Sequence, residues 1–176
     1  MRFTETPVRG AWLIDLNRIE DERGFFARTW CQRELQEQGL STELVQVNVG
    51  FSNTKGTLRG MHYQRAPEAE VKLVRCTMGA VYDVVVDLRP DSPTHKCWAA
   101  YELTAENRRQ LYIPEGCAHG YQTLVDSSEI TYQTSRFYAP NHATGVRYDD
   151  PAFGIGWPLP PRSISDADKS WLAYVD

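Results

Sequence analysis

Between Leu44 and Arg136 the chain is a succession of short apolar, β-branched or aromatic runs cut by turn residues, and this punctuation leaves few folds open. The runs are Leu44 to Val49, Val71 to Thr77, Ala80 to Leu88, Cys97 to Leu103, Gln110 to Ile113, His119 to Val125 and Ile130 to Arg136. Met78-Gly79, Arg89-Pro90-Asp91-Ser92-Pro93, Pro114-Glu115-Gly116 and Asp126-Ser127-Ser128 separate them. Strands recurring at such short intervals predict an all-β sandwich or barrel. Cys31 to Gln38, stopped by Gly39, is the one good helix candidate, too little for a βαβ plan. After Tyr138 the chain becomes rich in Pro, Gly and Asp, yet keeps Phe153, Ile155 and Trp157, which predicts an ordered, turn-rich wrap.

With 176 residues, of which 41% are hydrophobic, the chain fits a single domain with one core, expected over 1–176. Its net charge of -4 comes from interspersed charges, so neither a nucleic-acid surface nor a polybasic membrane patch is expected, and an anionic ligand must be met by local arginines. No apolar run approaches the roughly 18 residues that span a bilayer, and the first residues lack a signal-peptide core, so a cytoplasmic location is expected. Cys31, Cys76, Cys97 and Cys117 form no C-x-x-C and are expected to be free thiols.

Strand alternation places titratable groups on inward faces. In Leu58-Arg59-Gly60-Met61-His62, His62 shares a face with Leu58 and Gly60, and Arg59 takes the other face unless Gly60 marks a bulge. Lys72 shares a face with Val74 and Cys76, and Tyr132 with Ile130 and Thr134. A lone strand histidine or tyrosine is compatible with ordinary core packing. A lysine in an apolar strand is harder to account for, because its desolvation must be offset by an anion or a developing negative charge. His62 and His119 lack the partner spacing of a metal centre, and none is expected. No phosphate loop, dinucleotide fingerprint or G-x-S-x-G elbow occurs.

Seven blocks then fall in a familiar order: Asp21 to Phe26, Leu58 to Gln64, Lys72 to Arg75, Asp83 to Asp87, Tyr112 to Gly120, Tyr138-Ala139-Pro140 and Asp149-Asp150-Pro151. Together they resemble the dTDP-4-dehydrorhamnose 3,5-epimerase family. The resemblance implies a cupin-type β-jelly-roll that works without a metal or other cofactor. It also implies a homodimer whose N-terminal strands reach into the neighbour's sheet. The implied substrate is a nucleoside-diphosphate 4-keto-6-deoxysugar. His62 would then be the base, Asp168 its orienting partner, Lys72 the enolate stabiliser and Tyr132 the acid. Arg23 and Arg59 would contact the diphosphate, His119 the substrate, Gln46 and Asn48 the nucleotide side, and Tyr138 would stack on the base. The implied reaction converts dTDP-4-keto-6-deoxy-D-glucose to dTDP-4-keto-L-rhamnose, with inversion of one centre only, or action on another nucleotide's keto sugar, as the nearest alternatives. Arg28, Val47 and Ala143 stand where many family members carry other residues, which leaves the base preference open.

Overall fold

Two antiparallel sheets face each other, and the alternation of their strands decides what lies between them. The computed structural model describes residues 1–175. Its strands are β1 (Arg2–Glu5), β2 (Trp12–Asp15), β3 (Arg18–Asp21), β4 (Gly24–Ala27), β5 (Gln46–Ser52), β6 (Leu58–Gln64) and β7 (Lys72–Met78). They continue as β8 (Ala80–Asp87), β9 (Trp98–Thr104), β10 (Gln110–Ile113), β11 (Cys117–Thr123), β12 (Ser128–Thr134) and β13 (Ala143–Gly145). The helices are α1 (Gln32–Glu37) and α2 (Asp166–Lys169). One sheet has the order β1-β2-β10-β7-β12-β5, the other β13-β6-β11-β8-β9, and β3 and β4 form a separate hairpin. This is a cupin-type jelly-roll, the all-β architecture that the strand spacing predicts.

The period of two explains the core. Val74, Cys76, Val81, Val85, Leu111 and Ile130 point between the sheets and pack together. Val84, Val86 and Ala118 point the other way, where Phe153, Ile155, Trp157 and Tyr174 of the C-terminal wrap cover them. The unbroken run Val84-Val85-Val86 is therefore a strand buried on both faces. On the opposite outer face, Leu73, Ile14 and Tyr112 pack under Leu35 of α1. Both sheets thus have an outer cover at one end, and β5 has none: Val47 is 63% and Val49 62% exposed.

The helix predicted from Cys31 forms over Gln32–Glu37 with Cys31 as its N-cap. The sequence patterns did not point to β13 or α2, each of four residues or fewer, because such short elements carry no periodicity. All four cysteines are free, and burial pushes the thiols of Cys76 and Cys117 up to about 11 and about 12, so they resist forming the reactive thiolate. No helix among the described residues is long and apolar enough to cross a membrane.

Candidate active site

The interior of the sandwich is open at one end, leaving a cavity of about 850 Å³. Its walls come from β5, β6, β7, β11 and β12 and from the segment around α2. The cavity exists because the inward positions here carry polar side chains in place of the aliphatic ones that close the other end.

Both Arg59 and His62 line this cavity, three positions apart, which a regular strand cannot achieve. The irregularity lies at Gly60. The β6–β11 pairing runs His119↔His62 and then Tyr121↔Arg59, a register shift, and Gly60 has φ +130. A Cβ at Gly60 would lie 2.5 Å from the Cα of Gly120, so the two strands approach more closely than side chains permit. The bulge alternative is therefore the one realised, and it turns Arg59 inward.

His62 Nε2 donates to Asp168 Oδ1 across 2.6 Å. The other oxygen of Asp168 accepts the Gly60 N–H at 3.2 Å, and the Asp168 N–H donates to Ser165 Oγ, the N-cap of α2. Burial opposes ionisation of Asp168, yet the hydrogen bond and charge of His62, with the Gly60 and Ser165 contacts, hold the carboxyl below its ordinary range. An acceptor-only carboxylate keeps the histidine proton on Nε2, leaving a lone pair on Nδ1. Trp171 packs edge-on against the His62 ring at 6.3 Å.

Lys72 is 7% exposed, and its Nζ donates to the carboxylate of Glu70 and, at 3.4 Å, to the carbonyl of His62. Tyr132 lies on the neighbouring strand, where burial, and then the charge of Glu70, raises the phenol above its ordinary value; Arg59 acts in the opposite sense. His119 donates from Nε2 to both oxygens of the fully buried Asp83, at 3.1 and 3.0 Å, and its ring stacks on Tyr121. Arg59 donates to Ser52 Oγ at 3.2 Å and to the Phe51 carbonyl at 2.9 Å. At the mouth, Gln46 accepts the Tyr138 N–H at 2.6 Å, and Asn48 lies across from Tyr132 in the β5–β12 ladder.

Nine of the ten residues singled out from the sequence line this one cavity. Arg23 does not. It sits at the tip of the β3–β4 hairpin, paired with Asp21 and with its side chain 84% exposed. Of the three departures from the family pattern, Ala143 lines the cavity, whereas Val47 faces outward and Arg28 pairs with Glu34 on the surface. Sequence reasoning assigned no role to Asp83, Glu70 or Trp171. Asp83 does leave a signal, since a carboxylate inside Val81 to Val86 must have a buried partner.

Such a constellation can take a proton from carbon with an imidazole, stabilise the charge left on a neighbouring oxygen with an ammonium, and return a proton from a phenol on another strand. Fold and site define a cupin-type isomerase. The chain belongs to the dTDP-4-dehydrorhamnose 3,5-epimerase family, whose family model matches residues 5–176. It is 42% identical to the dTDP-4-dehydrorhamnose 3,5-epimerase of Shigella flexneri, over 100% of this chain and 97% of that one. The epimerase of Bacillus anthracis with TDP and pyrophosphate bound superimposes with a TM-score of 0.94 at 39% identity, covering 98% of this chain and 99% of that one. The Legionella pneumophila enzyme in complex with dTDP-4-keto-L-rhamnose gives 0.89 at 35% identity, covering 97% and 90%.

Proposed function

We propose that this protein epimerises dTDP-4-keto-6-deoxy-D-glucose at C3 and C5, giving dTDP-4-keto-L-rhamnose. The observation that carries this reading is the convergence of the His62–Asp168 pair, Lys72 and Tyr132 from separate segments on one cavity. The C4 carbonyl acidifies the hydrogens on C3 and C5. His62 takes one of them through Nδ1, and the electron pair of the C–H bond moves into the enolate, whose oxygen is met by the Lys72 ammonium. Tyr132 delivers a proton to the opposite face and recovers one from solvent. His62 releases the abstracted proton to solvent, each carbon has exchanged one proton for another, and no electrons are transferred, so the conversion is redox-neutral. Asp168 orients the imidazole and stabilises the imidazolium as it forms. Arg59 presents a guanidinium to the diphosphate and His119 contacts the sugar, while Gln46, Asn48 and Tyr138 lie at the mouth, where the nucleoside would rest.

The diphosphate is met more fully if Arg23 is supplied by a second copy of the chain, and two exposed apolar surfaces support a homodimer. Ile19 and Phe26 on the β3–β4 hairpin are 69% and 68% exposed, and the outer face of β5 presents Val47, Val49 and Phe51. Sedimentation equilibrium is expected to give twice the monomer mass. A monomer at micromolar concentration would remove Arg23 from the site.

Proton NMR of dTDP-4-keto-6-deoxy-D-glucose with the enzyme in D₂O tests the reaction. Deuterium is expected at both C3 and C5. Entry at one carbon would make the protein a mono-epimerase, and no exchange would sink the reading for this substrate.

A further inference from the structure

The mechanism above leaves one buried charge of the cavity unused. Glu70 lies just before β7, two positions from Lys72, so an extended backbone sends both side chains to the same side. Both line the cavity, and the side chains of Lys72 and Glu70 are only 9% and 8% exposed. A carboxylate is out of place in a cavity otherwise equipped with Arg59, Lys72 and His119 for an anionic ligand, because it would repel that ligand unless a cation neutralised it.

We infer that Glu70 is the positioning residue for Lys72, holding its ammonium at the cavity wall where a substrate oxygen gains negative charge; this rests on the reaction proposed above. Lysine has a flexible four-carbon stem and no preferred fork geometry, so its ammonium goes where acceptors hold it. The structure supplies two. One is the His62 carbonyl at 3.4 Å, a long contact, and the other is the Glu70 carboxylate in close contact. Without Glu70 the ammonium keeps only the weak partner while remaining buried, and turning away towards solvent becomes the better arrangement. The same carboxylate adds to the burial that keeps Tyr132 protonated, so its loss affects the proposed acid in the direction of ionisation.

Two readouts separate this inference from the reaction on which it rests. In protein labelled with ¹⁵N-lysine, a slowly exchanging ammonium signal, assigned by its loss in Lys72→Met, is expected in the wild type and in Glu70→Gln, which keeps an acceptor oxygen. It is expected to vanish in Glu70→Ala. In D₂O, Glu70→Ala is expected to slow deuterium entry about 10- to 100-fold, somewhat less than removing an electrostatic donor outright, with KM within about threefold. Glu70→Gln should recover most of that loss, which a merely structural defect would not allow. Should the alanine variant not fold, Glu70→Asp, which draws the carboxylate back by one methylene, carries the same two measurements. An unchanged ammonium signal together with exchange within twofold of wild type in these variants overturns the inference. A wild type that exchanges no deuterium removes the reaction, and the ammonium signal then decides separately whether Glu70 holds Lys72.

Discussion

Replacing His62 by alanine is expected to lower deuterium entry at both C3 and C5 by about 10³-fold or more, the upper part of the range for loss of a positioned base. The ring is about half exposed to the cavity and is not a core side chain, so the fold should survive, and nucleotide binding, which we propose rests on groups nearer the mouth, should change little. Asp168→Asn gives the companion result. It preserves the shape of the pair but lets the side chain offer an N–H where His62 needs an acceptor, favouring the wrong tautomer, with a loss of about 10²-fold or more expected. Single-turnover exchange in D₂O measures both. Fast exchange at either carbon in His62→Ala would transfer the base role elsewhere, and His119, held by Asp83, would be the group to test next.

The largest effect on stability is expected at Gly60. Its φ of +130 disfavours any side chain, and a Cβ there would lie 2.5 Å from the Gly120 Cα and 3.0 Å from the His119 carbonyl oxygen, both backbone atoms that cannot rotate aside. Gly60→Ala should therefore cost about 3 kcal/mol or more, combining an unfavourable backbone conformation with forced separation of two paired strands. Gly39→Ala is the control. It also has positive φ, +70, but nothing lies within 4 Å of the added methyl, so only the conformational cost of about 1 kcal/mol is expected. Urea unfolding curves with an unchanged slope would report both values. Equal costs at the two positions would mean that β6 and β11 separate easily, and the inward turn of Arg59 would lose its explanation.

Much of the architecture was legible because β structure writes itself locally. Gln110 to Ile113 was readable as a strand to the residue, and β5, β7, β8, β9, β11 and β12 within a few positions, since apolar runs and turn chemistry act over neighbouring residues; β1, β2 and β13 were not read. The hairpin of β3 and β4 was not legible from pattern. Its residues are mostly exposed and its strands are four residues long, so no burial-driven alternation marks it. Within the site, Lys72 and Tyr132 could be assigned inward faces from their neighbours alone, because the period of two is a local property.

The sequence by itself determined that this chain would be an all-β sandwich with a His, a Lys and a Tyr on inward strand faces, and its motif order identified the family. The resemblance paired Asp168 with His62, and the tertiary structure decided how that contact and the others are made. Asp168 reaches His62 from 106 positions away, and Asp83 reaches His119 from 36 away. The bulge at Gly60 turns Arg59 inward against the simple alternation, and Arg23 is left outside. The reason is that alternation specifies a face and not a partner. Which faces converge follows from sheet pairing and from where the C-terminal wrap closes over β8, and those are settled by contacts between segments far apart in the chain.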